Sequence, residues 1–218
     1  MYTYVENFSD KRYVKFSFLY CLGCFSGGGA DKKMITRIII ISIISVLMTC
    51  SLSYAAMVDL KNTSWEKHAK LCDIDPLLLY AIALKESSHQ IESGSFVAPN
   101  KYALNNPVLG SYYPKNKEEA VRKVNEFVRV SDLTDIGITQ INWKWNGSRY
   151  VSNPYELLDV DKNIEVSAKV LCSAIKLSPN DIAQAIGNYH TPNPELQYKA
   201  KAYGESVLLI WKRLNNYE

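Results

Sequence analysis

The sequence predicts one mainly α-helical domain over residues 57–218, preceded by a secretory signal peptide. Three observations indicate this class. Apolar residues recur at helical spacing in several segments after Met57, and most of these segments open on a good capping residue. Residues 90–113 break the pattern with Gly, Pro and Asn, which predicts a loop region with one small hairpin. With 218 residues and 47% hydrophobic content, the chain can bury one core, and we find no repeat or linker after Met57.

The first two helices are predicted over residues 65–71 and 75–86. Asp75 is a good N-cap for the second helix, and Pro76 suits its first helical position. Apolar side chains that recur at helical spacing along this helix should face the core: Leu77, Ala81 and Leu84.

The later helices are predicted mainly from their capping residues. Asn116 with Glu119 resembles a capping box and opens a helix through Val128, whereas residues 132–145 should be irregular. The remaining predicted helix starts are Asn153-Pro154, Asp161 or Asn163, Ser178-Pro179, and Asn193-Pro194. An apolar stripe on the last helix should pack into the core: Val207, Ile210, Trp211 and Leu214.

The N-terminal quarter has the composition of an export signal. An apolar run at 38–48 follows a basic flank, and residues 53–56 carry small side chains at the positions that a signal peptidase reads. We therefore predict a signal peptide over 34–56, export to the periplasm or beyond, and an upstream extension or mis-assigned start over 1–33. A membrane anchor is the alternative, but the run is shorter than the roughly 20 apolar residues of a span.

Net charge, histidine spacing and cysteine content indicate which partners, metal sites and disulfides can be expected. A net charge of +3 is too mild to indicate a nucleic-acid partner. His68, His89 and His190 have no metal-like spacing, so neither a metal nor a cofactor is predicted. Only Cys72 and Cys172 remain after the signal peptide, and either a disulfide or two buried free thiols would fit an exported protein.

Glu86 is the candidate catalytic residue. It lies in the last turn of the predicted second helix, where the helix dipole is negative and most neighbours are apolar. Both effects disfavour the carboxylate and should raise its pKa, as a general acid working near neutral pH requires. The alternative is a solvated glutamate that ends a core helix.

Three other stretches add polar and aromatic groups. Residues 135–142 combine a glycine, aliphatics and two amides, residues 185–192 end in Tyr189 and His190, and residues 99–105 carry a tyrosine and amides. One acid beside amides and aromatics is typical of a sugar-cleaving site.

These motifs resemble the lytic transglycosylases with a soluble-lytic-transglycosylase domain, the goose-lysozyme-like group. The resemblance rests on Glu86-Ser87, on the Gly-Ile-Thr-Gln-Ile-Asn segment at 137–142 and on the late Asn-Tyr-His, in order over most of residues 60–214. It implies a lysozyme-like α+β fold with a small hairpin. The Tyr-His-Thr-Pro ending is closest to small secreted members associated with conjugation and secretion systems. Thr139 stands where the family usually has a methionine that lines the cleft, so substrate grip there should differ.

The resemblance also implies a reaction and its residues. Glu86 would protonate the bond between N-acetylmuramic acid and N-acetylglucosamine in peptidoglycan and then take the proton of the muramic 6-hydroxyl, which closes a 1,6-anhydro ring without water. The expected partners are glycan strands and components of a secretion or conjugation machine. Tyr189 would orient the substrate N-acetyl group or support Glu86. The expected substrate-positioning residues are Ser87, Gly137, Gln140 and Asn142.

Three other functions stay open at this point. A hydrolytic lysozyme needs a second carboxylate to hold water, and Asp132 or Asp135 could supply it. A non-catalytic module that binds peptidoglycan would use the same cleft with Glu86 inert. An uncleaved apolar run would instead make the chain a membrane-anchored adaptor.

Overall fold

The chain folds into α-helices and two small antiparallel sheets, in a computed structural model that describes residues 58–90 and 97–215. The described part contains six α-helices: α1 Ser64–Ala69, α2 Pro76–Ser87, α3 Lys117–Val130, α4 Val160–Leu177, α5 Ile182–His190 and α6 Gln197–Leu214. Short 3₁₀ helices lie at Lys70–Cys72, Gly147–Arg149, Pro154–Leu158 and Pro194–Leu196. This mainly helical architecture confirms the predicted class, while the predicted signal peptide (34–56) and the extension (1–33) lie outside the described residues.

The strands form two sheets at the side of the helices. They are β1 Ser88–Gln90, β2 Val97–Pro99, β3 Leu104–Asn106, β4 Gly110–Tyr112, β5 Asp135–Ile136 and β6 Ile141–Asn142. β1 pairs with β2, and the other four form an antiparallel sheet in the order β4-β3-β5-β6. The β3–β4 hairpin confirms the one predicted from the loop composition. The prediction that residues 132–145 are irregular was wrong in part, since β5 and β6 lie there.

Helix α2 is the central element of the core. The Asp75 carboxylate accepts from the Leu77 N–H at 2.9 Å and from the Trp211 indole N–H at 2.7 Å, so the cap also attaches α6. The predicted core face was wrong in part, because Leu77 and Leu84 are only partly buried. α2 packs against α1, α4, α6 and β2, and contact on several sides buries consecutive positions rather than one stripe. The buried positions are Leu78, Leu79, Ala81, Ile82 and Ala83.

Several helix starts differ from the sequence prediction. Asp159, not Asp161 or Asn163, caps α4, and Asp181 rather than the Ser178-Pro179 pair caps α5. Asn116 caps α3 as predicted. Its partner Glu119 does not complete the box, because it accepts instead from the Lys115 N–H and the Tyr112 hydroxyl.

Two further features hold the helices together. A disulfide joins Cys72 to Cys172, with a Cα–Cα distance of 5.8 Å, and ties the 3₁₀ turn after α1 to α4. Val207 is fully buried, and the rest of the predicted α6 stripe packs against the core. Among residues 58–90 and 97–215, no helix is both long enough and apolar enough to cross a membrane.

Candidate active site

Glu86 lies in the last turn of α2, directly before β1, and is partly exposed. The Tyr203 hydroxyl donates a hydrogen bond to its Oε1. Burial raises the pKa of Glu86 to about 7, the hydrogen bond from Tyr203 opposes this rise, and the negative charge of Asp135 adds to it. Near neutral pH, Glu86 is therefore present both as an acid and as a carboxylate. The sequence analysis expected a raised pKa, and burial is its main cause.

Tyr203 is a functional candidate that the sequence analysis missed. It lies in α6, and burial and the nearby Glu86 charge raise its pKa well above the ordinary value, so it remains a donor. A signal was available, because Tyr203 stands four residues before Val207 and so continues the apolar stripe of α6. A tyrosine on a core-facing stripe usually finds a partner for its hydroxyl.

Ser87 faces the protein interior rather than solvent. It is 1% exposed, and its hydroxyl donates to the Ile138 carbonyl at 2.6 Å, with the Ala83 carbonyl as a second acceptor at 3.2 Å. This contact fastens residues 137–142, which we call the Gly137 loop, to the end of α2.

Gly137 begins this loop in a conformation that requires glycine. Its φ is 81°, and its N–H donates to the Ala103 carbonyl at 2.8 Å. A Cβ at this position would clash with the Asn163 side-chain amide and would lie 2.6 Å from the Leu157 carbonyl oxygen. Both the backbone angle and the lack of space therefore exclude larger side chains.

Thr139 is fully buried, so the expectation that this position lines the cleft was wrong. Its N–H and hydroxyl donate to the Asn163 side-chain oxygen at 3.0 and 2.6 Å. The Asn163 NH₂ donates in turn to the carbonyls of Ile136 and Leu157, each at 2.9 Å. A buried threonine needs such a partner, and Asn163, which the sequence analysis took for a helix cap, supplies it.

The side-chain amide of Gln140 is hydrogen-bonded through its NH₂ group, while its oxygen is not, among the residues that the structure describes. Its NH₂ group donates to the carbonyls of Ala103 and Gly137 at 2.8 and 2.9 Å. No described residue donates to its Oε1, and no buried side-chain polar atom in the described part lacks a partner, so Oε1 is accessible. An oriented amide oxygen of this kind can accept from a sugar hydroxyl or an N-acetyl N–H.

Asn142 and Asp135 belong to a row of polar side chains across the sheet. Asn142 donates to Asp135 Oδ1 at 2.8 Å, Asn105 donates to Asp135 Oδ2 at 3.1 Å, and Ser111 donates to Asn105 Oδ1 at 3.0 Å. These residues are directly paired in register, so they share one face of the sheet, opposite the buried Leu104. We call this set the polar row; the charge of its Asp135 acts on Glu86.

Tyr189 lies beneath the Gly137 loop. It is 6% exposed; its hydroxyl donates to the Thr139 carbonyl at 2.9 Å and accepts from Ser167 at 3.1 Å. Burial raises its pKa, and the charge of Glu86 adds to the rise, so the two residues are electrostatic neighbours. No hydrogen bond joins them in the described part of the chain.

The remaining candidates lie outside this arrangement. Asp132 is exposed and forms an ion pair with Lys144 at 3.0 Å. Buried His68, on α1, contacts Asp161 of α4 at 3.0 Å. In the ranges the structure describes, no group of three or more His, Cys, Asp or Glu side chains could hold a metal ion.

A comparison with known families gives one match. A family described as the Transglycosylase SLT domain matches residues 63–206, which is more than half of the chain and spans Glu86 to Tyr203. No curated protein and no solved structure shows significant similarity to the chain. With its helical fold, small antiparallel sheet and a glutamate at the end of α2, the chain belongs to the transglycosylase SLT domain family, which implies a lytic transglycosylase that acts on peptidoglycan.

Proposed function

We propose that this protein cleaves the β-1,4 bond between N-acetylmuramic acid and N-acetylglucosamine and leaves a 1,6-anhydro end on the muramic acid. One observation carries the proposal. Glu86 is a largely desolvated carboxyl whose pKa is about 7 and which accepts a hydrogen bond from Tyr203. Such a group can act as a general acid and then as a general base at the same pH.

The proposed reaction uses Glu86 twice. The protonated carboxyl donates its proton to the glycosidic oxygen as the bond from that oxygen to C1 of the muramic acid breaks. The N-acetyl group of the same sugar stabilises the positive charge at C1. The Glu86 carboxylate then takes the proton of the 6-hydroxyl as O6 forms a bond to C1, so no water is consumed. Nucleophile and electrophile belong to one sugar, which favours ring closure over capture of water.

The other predicted site residues divide into two proposed roles. Gln140 and the polar row, which includes Asn142, would contact sugar hydroxyls and N-acetyl groups, because Gln140 Oε1 is accessible and the charge of Asp135 in the polar row acts on Glu86. Ser87, Gly137 and Tyr189 would hold the Gly137 loop in place. Ser87 and Tyr189 donate hydrogen bonds to carbonyls of the loop, and the Gly137 N–H donates to the Ala103 carbonyl.

Hydrolysis is the second candidate function, and one observation favours it. Asp135 is a second carboxylate whose charge acts on Glu86, whereas exposed Asp132 is paired with Lys144. A hydrolytic lysozyme would use Asp135 to hold the attacking water. Both Asp135 oxygens already accept hydrogen bonds from amides, which supports an orienting role for it instead.

Mass spectrometry of digested peptidoglycan tests these proposals. We expect muropeptides with 1,6-anhydromuramic ends, lighter by one water than hydrolysis products, from the wild type and from Glu205→Gln, an exposed control on α6. Glu86→Gln should give none. Reducing ends would instead establish a hydrolase. Binding without products in all three proteins would establish the non-catalytic module.

Export is a further proposal, together with partners in a secretion or conjugation machine. The apolar run at 38–48 supports cleavage after Ala55 or Ala56, and the Cys72–Cys172 disulfide fits an oxidising compartment. N-terminal sequencing of the exported protein should read from residue 56 or 57. A retained apolar run would show a membrane anchor instead.

A further inference from the structure

The ring of His190 stacks on the ring of Tyr203 beside the proposed acid. The ring centroids are 4.4 Å apart with an interplanar angle of 18°, and the Tyr203 hydroxyl donates to Glu86. We infer that His190 is a positioning residue, which holds the Tyr203 ring so that its hydroxyl stays on the Glu86 carboxyl. The inference rests on the proposed function only in that Glu86 is the acid of that reaction.

The packing of α5 against α6 explains why the two rings meet. A Cβ at Gly187 would clash with the Ala200 carbonyl, and a Cβ at Gly204 would clash with the Ala183 carbonyl. These two contacts run in opposite directions along the chain, so the helices are antiparallel and their backbones touch at both glycines.

Side-chain direction then brings the rings to the same level. Helical side chains lean toward the N-terminus of their own helix and cover the preceding turn. His190 therefore lies over the turn of Gly187, and Tyr203 lies over the turn of Ala200. Because Gly187 and Ala200 are in contact, the two rings are placed face to face by the helix packing itself.

The partly solvent-exposed imidazole is also held at its edge by the next residue. His190 Nδ1 and the Thr191 hydroxyl share a hydrogen bond at 2.8 Å. Two further charged groups act on the ring: Asp135 from β5 and Lys85 from α2. Burial lowers the pKa of His190, while the Asp135 charge opposes this and the Lys85 charge adds to it.

His190 makes no hydrogen bond to Glu86 in the described part of the chain, so we expect its effect to pass through the stacked Tyr203 ring. This gives a distinctive prediction for the pKa of Glu86. The Tyr203 hydrogen bond favours the carboxylate, so its loss should raise that pKa, and a ring that is free to swing should lose the same bond. Simple exposure of Glu86 to water would act in the opposite direction, since burial is what raises its pKa.

The test measures the Glu86 pKa by NMR of ¹³C-carboxyl-labelled glutamate in the full chain, without using activity. Tyr203→Phe should raise the pKa of Glu86 by about one pKa unit, which corresponds to the loss of one hydrogen bond to a charged group. His190→Ala should raise it in the same direction, and His190→Ala added to Tyr203→Phe should raise it no further. His190→Phe keeps a stacking ring and should retain the wild-type value. His190→Ser serves as a second truncation, and near-ultraviolet circular dichroism verifies the fold of each variant.

Three results would overturn the inference: no change in His190→Ala, a lower pKa, or additive effects in the double variant. A lower pKa would show that His190 acts only by excluding water. Failure of the proposed function appears separately, as the absence of cleavage by the wild type, while the NMR result still decides whether His190 positions Tyr203. If the wild type cleaves, His190→Ala should lower kcat and leave KM nearly unchanged.

Discussion

Replacing Glu86, the proposed acid, should make the protein more stable, because burial disfavours the charged form of its carboxyl group. Glu86→Gln keeps the size of the side chain and an oxygen that can accept the Tyr203 hydrogen bond. It removes only the ionisable group. The change therefore separates the free energy of unfolding from the catalytic activity, and it should move them in opposite directions.

The size of the gain follows from the pKa. Burial raises the pKa of Glu86 from its ordinary 4.5 to about 7, so the folded state binds this proton more tightly than the unfolded chain does. Each pKa unit corresponds to about 1.4 kcal/mol. The ionised form therefore lowers the free energy of unfolding by about 3 kcal/mol above pH 7. The loss is absent below pH 4.5, where both states are protonated, and it grows between those two values.

Thermal unfolding at an acidic and an alkaline pH measures this effect. Relative to the wild type, Glu86→Gln should raise Tm by about 6–12 °C at pH 8, given about 2–4 °C per kcal/mol for a domain of this size. Near pH 4 the two proteins should have the same Tm. Glu205→Gln, exposed on α6, is the matched control and should show no gain at either pH. A difference that is the same at both values would refute the reasoning, since it would mean that Glu86 is not desolvated.

Three other changes have expected outcomes. Gly137→Ala should lower the free energy of unfolding by about 3 kcal/mol, and Gly110→Ala should lower it by about 1 kcal/mol. Both glycines have a positive φ, but only Gly137 lacks space for a Cβ. Urea unfolding of the two variants measures the difference. Reduction of the disulfide, which joins residues 100 positions apart, should cost about 4–5 kcal/mol in the chain-entropy model, measured by unfolding with and without dithiothreitol. Asp135→Asn removes a negative charge that raises the pKa of Glu86, so the alkaline limb of the kcat/KM profile should move to lower pH, and an unmoved limb would contradict this.

Local signals in the sequence predicted local structure well. The start of α2 was predicted because a cap such as Asp75 and a first-position proline act within one turn. The starts of α4 and α5 were missed because several capping residues stand close together there, and packing selects among them. Asn163 is the example. It is a good capping residue, but its amide is used in the buried contacts of the Gly137 loop, so Asp159 caps the helix instead.

Site residues that lie within one sequence motif were predictable. Contacts between residues that are far apart in the sequence were not. The strands β5 and β6 have two residues each, too short to show the alternation that predicts a strand. The contact of Tyr203 with Glu86 joins residues 117 positions apart. Motif context favoured Tyr189 as the tyrosine that supports Glu86, whereas the structure places its hydroxyl on the Thr139 carbonyl. Helix packing alone decides which tyrosine reaches the acid.

The proposed double use of one carboxyl depends on a balance that no single neighbour sets. Burial and the Asp135 charge favour the protonated acid that the first step needs, and the Tyr203 hydrogen bond favours the carboxylate that the second step needs. Without the burial, Glu86 would be ionised at neutral pH and could not start the reaction. Without Tyr203, the acid would hold its proton too firmly after the bond has broken. The polar row and α6 therefore act on the same carboxyl in opposite senses, which is why changes to Asp135 and Tyr203 should move the pH profile in opposite directions.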